Sequence, residues 1–204
     1  IRFVLTTPLT DDGEINAFLT RHGDAVRDIA FEVEDVDGAF EAAVARGAEP
    51  ALEPRDVSDP NGTVRRAAVR TYGDTIHSFI ANKDYGGPFL PGFREDRVEE
   101  PDARLFYIDH MVGNVEPGKM DHWADYYADV FGFHRYITFD DKDISTEYSA
   151  LMSVVMSDSN KRIKFPINEP AEGKRRSQIQ EYLDFHYSPG VQHIALITDD
   201  IVSS

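Results

Sequence analysis

Two histidines in short apolar runs have the most chemistry to offer. One is His110, in Ile108-Asp109-His110-Met111-Val112-Gly113-Asn114. The other is His193, in Val191-Gln192-His193-Ile194-Ala195-Leu196. Both runs read as strands, and successive strand side chains point to opposite faces. Alternation then puts His110 on one face with Phe106, Ile108 and Val112, and His193 with Val191, Ala195 and Ile197. Gln192 would face away from His193. A lone imidazole on an apolar face is ordinarily a hydrogen-bonded core residue, because burial penalises its charged form. Two on inward faces of a curved sheet point instead to shared ligation of a metal. Imidazole suits zinc, copper, iron and nickel. There is no HExxH and no close histidine pair, so spacing alone identifies neither the metal nor the pairing.

The other five histidines carry less. His22 and His186 sit at helix ends, His122 on the polar side of a helix, His134 after a helix-ending glycine, and His77 in a strand. Without a second ligand at ligand spacing they read as structural or solvated.

Whole-chain totals narrow the classes. The 204 residues carry a net charge of −16, which repels a nucleic-acid backbone or an anionic membrane. With 41% hydrophobic residues, one or two cores can form. There is no cysteine, which excludes disulfides, thiolate zinc sites and thiol nucleophiles. No apolar run approaches the ~20 residues of a membrane span, and the first residues do not read as a signal peptide. The expectation is a cytoplasmic protein. The chain opens directly in an apolar run and closes soon after another, so both ends are expected to be incomplete.

Elements that would position the histidines follow in order. Residues 1–7 predict a strand, then Ile15, Phe18 and Leu19 a helix ended by His22-Gly23-Asp24. Val26 to Val33 predicts a strand. Asp35 is the N-cap of a helix with Val36, Phe40, Ala43 and Val44 on one face, and Gly47 stands at its end. Strands at 65–70 and 71–80 follow the Pro60-Asn61-Gly62 turn. Glycine and proline crowd 82–104, which marks a linker. The division is an N-terminal domain at 1–95, a linker at 96–104 and a metal-binding domain at 105–204. In the second half, Met120, Trp123, Tyr126, Tyr127 and Val130 mark an amphipathic helix ended by Gly132. Strands at 136–139, 147–156 and 161–165, a helix at 177–183 and the His193 strand complete it. Ala25 to Val36 aligns without gaps to Gly190 to Ile201, so a β-rich module recurs at a spacing too long for a solenoid. Asp28 stands where the later copy has His193.

Five ordered runs resemble the 4-hydroxyphenylpyruvate dioxygenase family. They are Asp109 to Asn114, Glu147 to Ser153, Phe165-Pro166-Ile167-Asn168-Glu169-Pro170, Lys174 to Ile179 and Val191 to Leu196. The first half, including His22 to Phe31 and Tyr85 to Gly92, resembles that family's non-catalytic domain. The resemblance implies an α+β fold of paired βαβββ modules, the vicinal-oxygen-chelate type. It implies Fe(II) held by His110 and His193, with a glutamate beyond residue 204 as third ligand, the facial arrangement that leaves positions open. Without that glutamate the chain by itself is expected to be inactive. Glu147 and Glu169 do not match the ligand motif. The implied reaction converts 4-hydroxyphenylpyruvate and O₂ to homogentisate and CO₂, a step of tyrosine catabolism.

Ser153, Asn168, Gln178 and Gln192 match substrate-pocket positions of the family. Asn168, read in a loop after Pro166, can donate an amide hydrogen bond; the plain reading is a turn residue. Gln178 can equally be a surface residue. Lys174-Arg175-Arg176 reads as a solvated loop. The implied partners are the small-molecule substrate and O₂, in a homo-oligomer. Alternatives are 4-hydroxymandelate synthesis from the same substrate, a metal-poor paralogue serving only as a binding module, and an extradiol ring-cleaving dioxygenase of the same superfamily.

Overall fold

Asp35 starts the first module as its side chain predicts: its Oδ1 accepts from the Gly38 backbone N–H at 3.0 Å, satisfying one of the donors a helix start leaves open. The helix it begins, α2, runs Val36–Ala45 and buries Val36, Phe40 and Ala43. The computed structural model describes residues 2–96, 104–139, 150–171 and 176–202. Its other elements are α1 (Glu14–His22), β1 (Phe31–Glu32), β2 (Pro50–Asp59), β3 (Gly62–Arg70), β4 (Ile76–Ala81), β5 (Leu105–Asn114), α3 (Met120–Phe131), β6 (His134–Phe139), β7 (Ala150–Ser157), β8 (Lys164–Ala171), α4 (Gln178–His186) and β9 (Gly190–Thr198).

These make an α+β fold of two sheets, one in order β1-β4-β3-β2 and the other β6-β7-β8-β5-β9. Each contains the same unit: a strand, a helix and three further strands, with the first strand parallel to the last. β9 adds an antiparallel neighbour to β5. The paired βαβββ modules are therefore present, but at β1–β4 and β5–β8 rather than at the matched runs 25–36 and 190–201, the second of which is β9. β1 is only two residues long, preceded by an isolated parallel bridge of Asp28 to Ile76 beside β4.

Several elements differ from the sequence reading. Residues 2–7 form no strand, and Leu5 is 95% exposed. β2 is a strand that Pro50 and Pro54 masked, since proline removes a ladder donor; irregular register between Leu52 and Arg55 accommodates it. β8 continues to Ala171, so Asn168 lies in a strand rather than a loop. The start of the strand expected at 147–156 lies outside the described residues.

The chain groups into two compact units. One comprises Arg27–Thr71 and Thr75–Asp102; the other Ile1–Val26, Tyr72–Asp74 and Ala103–Ser204. This departs from the division at 1–95, 96–104 and 105–204. The reason is a polar knot at the end of α1. His22 is buried, with Nδ1–H donating to the His186 carbonyl at 2.6 Å and Nε2 bonded to Asp74 Oδ2 at 2.8 Å. Its ring stacks on His186 at 4.2 Å between centroids.

In the other unit, His77 is completely buried, and Nδ1–H donates to the Ile29 carbonyl at 3.1 Å. Burial pushes its imidazolium pKa down to about 4. The unfolded chain takes up this proton near pH 6.5 and the folded chain does not. Stability is thus fully present above about pH 6.5 and falls as the pH drops toward about 4. The wild-type advantage over His77→Leu is expected to shrink by on the order of 3 kcal/mol across that window. Urea unfolding at a series of pH values measures it, and a pH-independent difference would refute it.

Candidate functional site

β8 decides which side of its sheet does what. Phe165, Ile167 and Glu169 point to the α3 side and are buried there with Val154 and Met156 of β7. Phe165 stacks on Tyr127 of α3 at 4.9 Å. The Glu169 carboxylate accepts from the Met120 backbone N–H at 2.9 Å, at the start of α3. Glu169 therefore serves the helix, in keeping with its mismatch to the ligand motif; Glu147 lies outside the described residues.

The alternate residues face the other way and line a cavity of about 450 Å³, a size that suits a small ligand. β8 contributes Lys164, Pro166 and Asn168, and β7 contributes Leu151, Ser153 and Val155. Ser153 and Asn168 are directly opposite each other in the β7–β8 ladder and both are buried. Gln178, the first residue of α4, also lines the cavity. His110 and Val112 come from β5, Gln192 and His193 from β9.

Three irregularities shape this wall. On β6, Arg135 pairs with Met156 and Ile137 with Val155, so Tyr136 is an extra residue. On β5, Ile108 pairs with Leu196 and His110 with Ala195, so Asp109 is extra. On β9, Val191 pairs with Gly113 and His193 with Val112, so Gln192 is extra. A bulge lets two consecutive residues share a side. Tyr136 and Ile137 thus both line the cavity, as do Gln192 and His193. This corrects the expectation that Gln192 faces away from His193. It also breaks the face expected to run through Phe106, Ile108, His110 and Val112.

The two imidazoles meet. Their ring centroids lie 5.6 Å apart at 73°. His110 Nδ1–H donates to Asp109 Oδ2 at 2.8 Å, and a carboxylate only accepts, so the lone pair of this ring is on Nε2. Asp109 Oδ1 in turn accepts from Lys164 Nζ at 2.5 Å. The His110 bond, then the Lys164 bond, hold the Asp109 carboxyl below the usual carboxylate range. His193 Nδ1 bonds to the Gln192 amide oxygen at 3.3 Å, which again leaves Nε2 as the open nitrogen. Partial burial first, then His110, depress the His193 imidazolium pKa. A neutral ring is the form that ligates metal.

This donor set fits a metal. Two imidazoles on one ion, with metal–nitrogen bonds near 2.1 Å, bring their centroids to roughly 4.5–5.6 Å for ligand angles of about 90–120°. Among the described residues, no group of three or more His, Cys, Asp or Glu is placed to hold a metal. Sequence reasoning missed Asp109, Lys164 and Tyr136. The Asp-His dipeptide was a usable signal for the first; no sequence signal marks a bulge.

Residues 107–203 match the model of the Glyoxalase/Bleomycin resistance protein/Dioxygenase superfamily. They belong to that superfamily. The resemblance read from the five motifs extends along the chain. It is 48% identical to a 4-hydroxyphenylpyruvate dioxygenase of Aspergillus fumigatus over 99% of this chain and 55% of that protein. For the protein of that name from Yarrowia lipolytica the identity is 49%, over 94% and 50%. For that of Danio rerio it is 44%, over 100% and 53%. The chain spans about half the length of the curated relatives it matches. A solved mutant of 4-hydroxymandelate synthase from Streptomyces coelicolor matches with a TM-score of 0.77 at 27% identity, over 95% of this chain and 55% of that one. A xylose isomerase-like TIM barrel/4-hydroxyphenylpyruvate dioxygenase fusion protein shares the fold, with a TM-score of 0.64 at 21% identity, over 92% and 27%. Among the described residues no helix is long and apolar enough to cross a membrane.

Proposed function

We propose that this chain contributes two metal ligands and much of the substrate wall to an Fe(II)-dependent oxygenase. The enzyme converts 4-hydroxyphenylpyruvate and O₂ to homogentisate and CO₂. The observation that carries the reading is the His110–His193 pair at one cavity, each ring tied through Nδ1. His110 and His193 hold the iron, with a glutamate beyond residue 204 as third ligand. When bound, the metal supplies a chelation site for a 2-oxo acid and the electrons that activate O₂. The chain does the rest. Ser153, Asn168, Gln178 and Gln192 orient the polar groups of the substrate. Val112, Leu151, Val155 and Pro166 give an apolar wall that keeps water from the reacting centre. A homo-oligomer in the cytoplasm belongs to the same proposal, and light scattering on the purified protein checks the assembly.

The second reading is 4-hydroxymandelate synthesis, favoured by the similarity to a solved synthase. The identities of 43–49% to dioxygenases favour the first. Product analysis after incubation with Fe(II), ascorbate, O₂ and 4-hydroxyphenylpyruvate separates them. Homogentisate supports the dioxygenase, and 4-hydroxymandelate overturns it. A chain extended through the third ligand that binds no iron is a binding module instead.

Asn168 is held between β7 and β5 with its side chain at the cavity. For Asn168→Ala, turnover is expected to fall about 10-fold or more, the scale of one lost hydrogen bond to a charged group. Iron content stays at the wild-type level. Metal analysis alongside kinetics tests this, and loss of iron would make Asn168 a folding residue.

A further inference from the structure

The Asp109–Lys164 pair lies against the candidate ligand His110 and has no part in the reading above. We propose that Asp109 and Lys164 are positioning residues for His110. The carboxylate fixes the imidazole through Nδ1, and the ammonium fixes the carboxylate. This rests on His110 being a metal ligand.

Three observations carry it. Asp109 is the extra residue of a bulge in β5, which lets it share a side with the histidine that follows it. Each carboxylate oxygen has its own partner, Oδ2 the His110 ring at 2.8 Å and Oδ1 the Lys164 ammonium at 2.5 Å. The carboxylate is thus held from two directions. Lys164 reaches Asp109 from β8, whose ladder with β5 pairs only Gly113 with Ile167 and Asn114 with Asn168. The ion pair bridges the two strands where their backbones are not paired. A carboxylate accepting from the far nitrogen of a ligating imidazole sets the ring orientation and raises its basicity. His193 has only a neutral amide, at 3.3 Å, in the same place. His110 is therefore the more firmly oriented donor.

The test is Co(II) binding to a chain extended through the third ligand, followed by visible absorption. Asp109→Ala is expected to weaken Co(II) binding about 10–100-fold and to shift the cobalt bands. The metal-free protein unfolds at the wild-type temperature. Asp109→Asn keeps an oxygen acceptor for Nδ1–H and recovers part of the loss. Lys164→Met weakens binding less than Asp109→Ala and adds nothing in the Asp109→Ala background, since groups acting in series are not additive. Wild-type affinity and spectrum in Asp109→Ala, with binding lost in His110→Ala, would overturn the positioning role and leave the metal reading standing. Binding retained in His110→Ala would overturn the metal reading itself. An equal cost of Lys164→Met in both backgrounds would show that Lys164 acts independently of Asp109.

Discussion

Replacing His193 by alanine in a chain extended through the third ligand is expected to reduce bound iron to background and abolish turnover. His110→Ala is expected to do the same. Neither ring is needed to hold the sheet together. His193 is exposed on the cavity side, while the buried residues of the same sheet, Val154, Met156, Phe165 and Ile167, lie on the α3 side. The folded protein should therefore survive the change with an unfolding temperature close to wild type. With a facial set of three ligands, losing one imidazole leaves two donors on a metal that favours higher coordination. Iron analysis after anaerobic loading and product analysis are the two readouts. Normal turnover in either variant removes that histidine from the metal site. Loss of iron accompanied by unfolding would instead make the ring a structural residue.

Phe165→Ala is the change expected to cost most in stability, about 3–5 kcal/mol, the range for deleting a buried phenyl ring. Phe165 is fully buried, stacks on Tyr127 at 4.9 Å and lies 6.0 Å from Phe133. Its truncation would leave a void between β8 and α3 that neither rigid element closes easily. The neighbouring Lys164 and Pro166 face the cavity, so residual folded protein of a chain extended through the third ligand should still bind iron. Urea unfolding measures the loss as a lower midpoint at unchanged slope. A cost under about 1 kcal/mol would mean that the ring does not fill the space between sheet and helix.

Much of this protein was legible in its residues because the signals were local. Asp35 caps α2 through its own side chain. Met120, Tyr127 and Val130 recur at helical spacing and are buried, and Gly132 takes the left-handed conformation that ends α3. The match of Ala25–Val36 to Gly190–Ile201 sets β1 against β9, whereas the βαβββ units of the fold set β1 against β5. His110 and His193 were singled out from apolar runs, and the ordered motifs around them carried the family resemblance.

What the sequence could not supply depends on register and on contacts between distant segments. Period-2 alternation turns Gln192 away from His193, because no residue type at 191–193 announces a bulge. The ladder register reversed that and put Asp109 where it meets His110 and Lys164. Proline hid β2 and moved Asn168 into a loop on paper, since proline usually interrupts a ladder. In the fold, irregular pairing absorbs Pro50 and Pro54 of β2, while β8 keeps a regular ladder with β7 through Pro166 and Pro170. The grouping of α1 with the second half rests on His22, Asp74 and His186 meeting across the chain. The sequence by itself determined which residue types can do chemistry and the α+β character of the fold. Only the tertiary structure decided which of them share one cavity, because that follows from register shifts and long-range packing rather than from local residue preference.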